Sequence, residues 1–319
     1  MSQAKRGATA WSLLLVVAVL APATGGVAAQ TEQVTLTLEV VNPAGDSVSG
    51  VELNVSWADG SETVTTRANG QALVDVPRGS DPTVHVSHDI FMRNFPYEIS
   101  DASTRRVEIP VSRSGTLEVT VDGPTGPIDG ASVRLVKAGR NAFADQTGTD
   151  GTVDAGPVER GEYGLVVSKP GHYTNATTID ITGRMARTVQ LRPGAVQVRF
   201  NVTDDHFSPP APVENARIAI EETGDDLSTL ENGQRVTTAA VNRVYSVTVG
   251  KEGYRSVERE VRVRESSKLV EISISRIPDL NVETVNDRVV IGESTMLTAT
   301  NEYGEPVAGA PVSVDGATV

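Results

Sequence analysis

The sequence predicts an all-β protein built as a row of small sandwich modules, and three observations carry that expectation. Apolar and polar residues alternate with period 2 along segment after segment. One six-residue grammar occurs four times. After the first 29 residues, no stretch keeps the i, i+3, i+4, i+7 apolar spacing of a helix over a helical length.

The alternation is clearest where each module begins. Val34, Leu36, Leu38 and Val40 face one way while Thr35, Thr37 and Glu39 face the other; Leu117, Val119 and Val121 repeat the pattern, as do Val196, Val198, Phe200 and Val202. Turn dipeptides fall between the alternating segments at Asp59-Gly60, Asn69-Gly70, Asp122-Gly123, Asp150-Gly151 and Asn232-Gly233. The recurring grammar is an aliphatic residue, a spacer, Gly or Asn, a small residue, a spacer, and an aliphatic residue opening a strand. It reads Val48-Ser49-Gly50-Val51-Glu52-Leu53, Ile128-Asp129-Gly130-Ala131-Ser132-Val133, Val213-Glu214-Asn215-Ala216-Arg217-Ile218 and Val307-Ala308-Gly309-Ala310-Pro311-Val312. The first three copies lie 80 and 85 residues apart, one small domain per period and too long for a solenoid repeat.

Boundaries follow from where the pattern restarts. Residues 30–112, 115–192 and 195–276 form three modules, closed by strands at Val107 to Val111, Val189 to Leu191 and Leu269 to Ile274. The expected linkers are Ser112-Arg113-Ser114-Gly115, Arg192-Pro193-Gly194 and Arg276-Ile277-Pro278, too short for free tumbling. Residues 279–319 carry strand pattern but not enough chain to close two sheets.

Ahead of the modules, Lys5 and Arg6 precede an apolar stretch from Trp11 to Leu20, and Val27-Ala28-Ala29 offers small residues for cleavage, the pattern of a secretory signal over residues 1–29. The stretch is short of the ~18 residues that span a bilayer, and no later one spans it either, so no membrane span is expected after cleavage. A chain without Cys needs no disulfide for its fold. The formal charge of −13 opposes a nucleic-acid or anionic-membrane partner. Five lysines accompany 23 arginines, a bias that halophilic export and a GC-rich genome both produce.

The second module spells out a family pattern: Ile128-Asp129-Gly130-Ala131-Ser132-Val133, then Thr149-Asp150-Gly151, Arg160-Gly161-Glu162-Tyr163 and Val167-Ser168-Lys169-Pro170-Gly171-His172-Tyr173. It resembles the carboxypeptidase regulatory-like domain, which implies a transthyretin-like β-sandwich of about seven strands. The third module matches at Asn232-Gly233, Val244-Tyr245 and Val249-Gly250-Lys251-Glu252-Gly253-Tyr254. The first keeps Asn69-Gly70 and Pro77-Arg78-Gly79 but has Ser87-His88-Asp89-Ile90-Phe91 where Lys-x-Gly-Tyr is expected, so it is the divergent copy. The tail, with Val289-Val290-Ile291-Gly292-Glu293 before Met296-Leu297-Thr298-Ala299-Thr300-Asn301, resembles the opening of a bacterial Ig-like domain. Either the gene product continues past Val319 or this segment completes itself by pairing with a partner. The acidic, Lys-poor composition together with the module string resembles exported haloarchaeal surface proteins.

Chemistry-bearing motifs are scarce. None of His85, His88, His172 or His206 has Glu three residues on, and neither His-Glu-x-x-His nor Gly-x-Ser-x-Gly occurs, so no catalytic, metal or cofactor site is expected. His85 and His88 sit an odd number apart on an expected strand, hence on opposite faces. Asp145 with Asp150, Asp204-Asp205 and Asp225-Asp226 lack the Asp-x-Asp-x-Asp-Gly spacing of a Ca²⁺ loop. Gly171 and Gly253 are expected at positive φ in structural turns, with Tyr173 and Tyr254 packing under the sandwich edge. Trp57, in phase with Leu53 and Val55, is placed on the core face rather than on a sugar-stacking surface. Asn54, Asn175 and Asn201 begin Asn-x-Ser/Thr glycosylation acceptors and are expected to face solvent.

These features point to a non-catalytic exported scaffold or adhesion protein at the cell surface, its ligand an unidentified protein or polysaccharide. Two other classes stay open: the accessory region of a longer secreted peptidase or glycosidase, and a carbohydrate-binding module protein.

Overall fold

A computed structural model describes residues 32–309 apart from 287, 289 and 291, together with 311, 313, 314, 317 and 318. The signal peptide expected over residues 1–29 lies outside them. Among the described residues all helical or strand structure is strand, and no helix is long and apolar enough to cross a membrane.

Each alternating segment named above becomes the central strand of a sheet with three long strands, to which two-residue strands add in modules 2 and 3. In the first module Gln33–Val41 pairs antiparallel with Gln71–Pro77 and parallel with Arg105–Pro110. In the second, Ser112–Gly123 pairs antiparallel with Thr152–Glu159 and parallel with Arg184–Gln190. In the third, Ala195–Asp204 pairs antiparallel with Gln234–Ala240 and parallel with Lys268–Ser273. A four-stranded antiparallel sheet faces each of these. Its strand order is Gly60–Thr65, Glu52–Trp57, Thr83–Ser87, Tyr97–Glu98 in module 1; Arg140–Gln146, Ser132–Lys137, Gly161–Ser168, Asn175–Ile181 in module 2; and Asp225–Ser228, Arg217–Ile220, Arg243–Gly250, Val257–Val263 in module 3.

Side-chain alternation sends one face of every strand inward, so each pair of sheets closes on its own core. Leu36, Leu38, Leu53 and Ile109 are completely buried in module 1; Leu117, Leu135, Tyr163 and Leu165 fill module 2; Phe200, Ile218, Tyr245 and Val247 fill module 3. The three cores are separate clusters. Trp57 is half-buried against the first core at the end of its strand, its ring covering Gly60, where a Cβ would sit 3.0 Å from the indole.

The recurring grammar proves to be one device made three times. Its Gly or Asn has positive φ: 74° at Gly50, 60° at Gly130 and 56° at Asn215. There the chain leaves the sheet of the central strand and enters the four-stranded one. A buried threonine closes each crossing. Thr66 Oγ1 accepts from Val51 N–H and donates to Val48 C=O, both at 2.9 Å. Thr147 does the same with Ala131 N–H and Ile128 C=O at 2.9 and 2.6 Å. Thr229 repeats it with Ala216 N–H and Val213 C=O at 2.9 and 2.6 Å. Backbone bonds run alongside, from Gly50, Gly130 and Asn215 N–H to the threonine carbonyl. The chain then turns through Asn69-Gly70, Asp150-Gly151 or Asn232-Gly233. Those glycines lie at φ of 71–74°, and the preceding side chain accepts from the backbone N–H two residues on.

One expected linker is absent as such. Ser112-Arg113-Ser114-Gly115 belongs to the strand Ser112–Gly123, because Phe91–Met92 of the first module pairs antiparallel with Ser112 and Arg113. The sequence reading missed that partner because two residues are too few to show period 2. Arg192-Pro193-Gly194 and Arg276-Ile277-Pro278 do separate strands. In the tail, Leu280–Thr284 pairs antiparallel with Leu297–Asn301, and Leu280, Val282, Met296 and Leu297 are exposed.

The threonine device generates a test. Thr147→Val keeps the shape but strands a buried N–H and a buried C=O, which costs about 2–4 kcal/mol, whereas Thr147→Ser keeps both bonds. Differential scanning calorimetry is expected to show the transition of module 2 falling while those of modules 1 and 3 stay in place, with Thr66→Val and Thr229→Val acting alike on their own modules.

Candidate functional site

The residues that recur between modules converge on the joints, and the joints are where polar and aromatic side chains do something other than fill a sandwich. Lys169-Pro170-Gly171-His172-Tyr173 and Lys251-Glu252-Gly253-Tyr254 are exit loops. Gly171 has φ of 84° and Gly253 of 80°. Lys169 Nζ donates to Asp129 C=O at 2.6 Å and Lys251 Nζ to Glu214 C=O at 2.7 Å, tying each loop to the residue before the left-handed turn of its own module. The outgoing linker then docks on the glycine: Gly194 N–H donates to Gly171 C=O and Ile277 N–H to Gly253 C=O.

Tyr173 and Tyr254 both stand at module exits; Tyr254 packs against the core of its own module, as expected, whereas Tyr173 does not pack beneath its own sandwich edge. Tyr173 is exposed; its hydroxyl donates to Ala195 C=O at 3.3 Å and its ring leaves no room for a side chain at Gly194, where a Cβ would come within 2.8 Å. Tyr254 accepts from Arg276 Nε at 3.2 Å.

The first joint is held by Asn94. Its Oδ1 accepts from Glu159 N–H at 2.9 Å and its Nδ2 donates to the Tyr163 hydroxyl at 2.7 Å. That hydroxyl donates onward to Glu159 C=O, and burial pushes its pKa up. Arg140 of module 2 lies 4.2 Å from the ring centre of Phe95 of module 1. His88 acts locally: it lies just past the strand Thr83–Ser87, and its Nδ1 accepts from Ile90 N–H at 3.0 Å.

At the second joint Asn242, itself at φ of 55°, donates to His172 C=O at 2.9 Å and to Glu265 Oε1 at 2.7 Å. Thr174 N–H donates to the same oxygen at 2.7 Å, so one carboxylate grips both modules. The hydrogen bonds from Thr174 and Asn242 hold the Glu265 carboxyl below the ordinary glutamate value. Gly171 N–H also donates to Val241 C=O, and Val241 N–H to Gly194 C=O.

The third joint centres on Tyr303. Its ring stacks on His206 with centroids 3.7 Å apart, Phe207 meets it edge-on, and the Arg276 guanidinium lies 4.8 Å from its centre. Its hydroxyl donates to Asp204, which is 1% exposed. His206 Nε2 lies 3.0 Å from Glu305 Oε1, and that bond, with a second from Asn301, holds the Glu305 carboxyl below its usual range.

The remaining candidates are dispersed. Asn54 is exposed with its amide on Thr63 Oγ1. Asn175 and Asn201 are half-buried, and Asn175 Nδ2 donates to Gln190 C=O, so the solvent-facing expectation fits Asn54 better than the other two. Of the acids considered for Ca²⁺, Asp145 and Asp150 accept from neighbouring backbone N–H groups and Asp226 pairs with Arg217. No cluster of three potential metal ligands occurs among the described residues.

Sequence reasoning missed Thr66, Thr147 and Thr229, whose signal is a threonine three residues before each Asn-Gly or Asp-Gly. It also missed Asn94, Asn242, Glu265 and Tyr303, which leave no periodic trace because each occurs once.

Neither a family model nor a curated protein matches the chain. Among solved structures it is similar to the TIE protein of Bacillus anthracis, with 16% identity, a TM-score of 0.32, and coverage of 77% of this chain and 51% of that one, about half its length. It is also similar to GBS52, the minor pilin of Streptococcus agalactiae, at 13% identity and TM-score 0.27, covering 50% of this chain and 96% of that one. A third is BcpA, the major pilin subunit of Bacillus cereus, at 10% identity and TM-score 0.23, covering 77% and 100%. These superpositions are too loose to carry any property across.

Proposed function

We propose that this chain is a non-catalytic, exported surface scaffold that holds β-sandwich modules in line at fixed angles. The observation behind this reading is that every joint is latched by specific side chains, Asn94, then Asn242 with Glu265, then Tyr303 with Arg276. A passive linker needs none of these. A carrier that must present or space something at a set distance does.

A single compact domain of this length has a radius of gyration near ~19 Å, whereas modules in line approach ~30 Å. Small-angle scattering is expected to give the larger value, and the smaller one overturns the proposal. Replacing Asn242 by Gly, which keeps its left-handed φ of 55° without strain, and Glu265 by Ala is expected to broaden the distance distribution while leaving each module's melting temperature within about 2 °C, since no core group is touched. Unchanged rigidity would remove the joint from the argument.

The tail joint adds a pH dependence. A carboxyl whose folded pKa is depressed stabilises fully above its unfolded value and loses that contribution as pH falls through the folded one. The ordinary value for Glu305 is 4.5. The His206–Glu305 latch is therefore expected to hold at pH 5 and above and to loosen below pH 4.5, read as rising protease sensitivity of residues 279–309 while residues 32–276 stay resistant.

The tail's exposed apolar strands are proposed to pair with further β structure. Light scattering is expected to show residues 32–319 self-associating and residues 32–276 monomeric; two monomers would count against that pairing.

A further inference from the structure

The second joint opens beside its latch into a groove of about 970 Å³ between the four-stranded sheet of module 2 and, in module 3, the start of strand Arg243–Gly250 with the end of strand Val257–Val263 and the residues just after it. Its lining inverts the charge of the chain. Arg134, Lys169, Arg243, Arg262 and Arg264 face Glu265 alone, in a protein with 28 basic and 41 acidic residues. None of the five cations has an ion-pair partner within 4.0 Å among the described residues. Glu265 is already taken by Thr174 and Asn242. Like charges brought together without counter-charges repel, so a cluster of this kind is unfavourable until an anion occupies it.

We propose that this groove is a binding site for an anionic polysaccharide carrying carboxylate or sulfate groups. Guanidinium groups fit both oxyanions with paired hydrogen bonds. Ser132, Ser168 and Gln146 lie on the same outer sheet face as Arg134 and supply the hydroxyl and amide partners that sugar hydroxyls need. An acidic peptide fits less well. The lining strand Ser132–Lys137 is paired on both sides, so its backbone has no open edge to which a peptide strand could add. The two walls come from different modules, so the latch that fixes the joint also fixes the spacing of the cations. This site goes beyond the scaffold reading and does not depend on it.

Affinity electrophoresis and titration calorimetry of the full chain against polygalacturonate, dextran sulfate and unsubstituted dextran test the proposal. Binding to at least one charged polymer and none to dextran is expected, and the two charged polymers distinguish carboxylate from sulfate. The triple variant Arg134→Gln, Arg262→Gln, Arg264→Gln is expected to lose at least about ten-fold in affinity and to flatten its salt dependence. An equal loss of charge at the exposed positions Arg67, Arg187 and Arg255 is expected to change affinity less than about three-fold. Failure of both charged polymers to bind, equal losses in the two triple variants, or equal binding of dextran overturns the proposal. Tighter binding of poly-glutamate, lost in the groove variant, reassigns the groove to acidic peptides and overturns it as well.

Discussion

The structure depends on a single recurrent constraint, the crossing from one sheet to the other at a left-handed Gly or Asn closed by a buried threonine. A sandwich needs its chain to leave one sheet and enter the other without leaving backbone groups unpaired in the core. Val51 N–H and Val48 C=O, separated by the left-handed turn, cannot both be satisfied by a strand neighbour; Thr66 Oγ1 serves both. Serving as donor and acceptor at once is what a hydroxyl can do and an apolar side chain cannot. The β-branched carbon of threonine also suits the extended backbone immediately after the strand, where each of the three sits. With the crossing fixed, the register of the first strand against the fourth is fixed, and through it the in-or-out phase of every core residue.

The second layer of organisation is built onto this one. Lys169 and Lys251 bind the carbonyl of the residue just before the turn, so each exit loop is referenced to the crossing of its own module. The glycine of that loop then receives the outgoing chain. Position is handed from crossing to loop to linker, and the next module starts from a defined place. Module 1 has no such lysine. It substitutes the short strand Phe91–Met92, which pairs directly with the strand entering module 2. Both solutions commit backbone hydrogen bonds to the joint, and side chains complete the latch. Arg276 shows the same economy at the tail: it binds Tyr254, Glu302 and Tyr303, and its charge lies near that of buried Asp204.

Much of this was legible in the sequence. Period 2 identified the central strands because one face of each is buried, and the turn dipeptides identified the Asn-Gly and Asp-Gly corners because positive φ restricts what can occupy them. The recurring grammar marked the three sheet crossings at Gly50, Gly130 and Asn215. The parallel pairing of the first and last strands left no local trace, since it joins residues about 70 positions apart, as Leu36 and Arg105 do. Tyr173 was placed beneath its own sandwich because a ring next to a glycine turn normally finds the nearest apolar edge; the linker glycine Gly194 supplied a nearer one. The groove was invisible for a related reason. Arg134 lies in one module and Arg262 in another, and a net charge of −13 conceals a local excess of cations.

That concealment bears on how an acidic chain can engage an anion at all. The long-range field of a chain at −13 repels polyanions, but at physiological salt the field of exposed charges decays over about 8 Å. Beyond that distance the net charge matters little, and within it the nearest side chains decide. A groove walled by Arg134 and Lys169 on one side and Arg243, Arg262 and Arg264 on the other presents cations at that range. Lys169 sits in this wall while its Nζ is bound to the carbonyl beside Gly130. The residue that references the joint to the sandwich crossing is thus also one of the groove cations. The geometry of the groove follows from the same left-handed turn that closes the core.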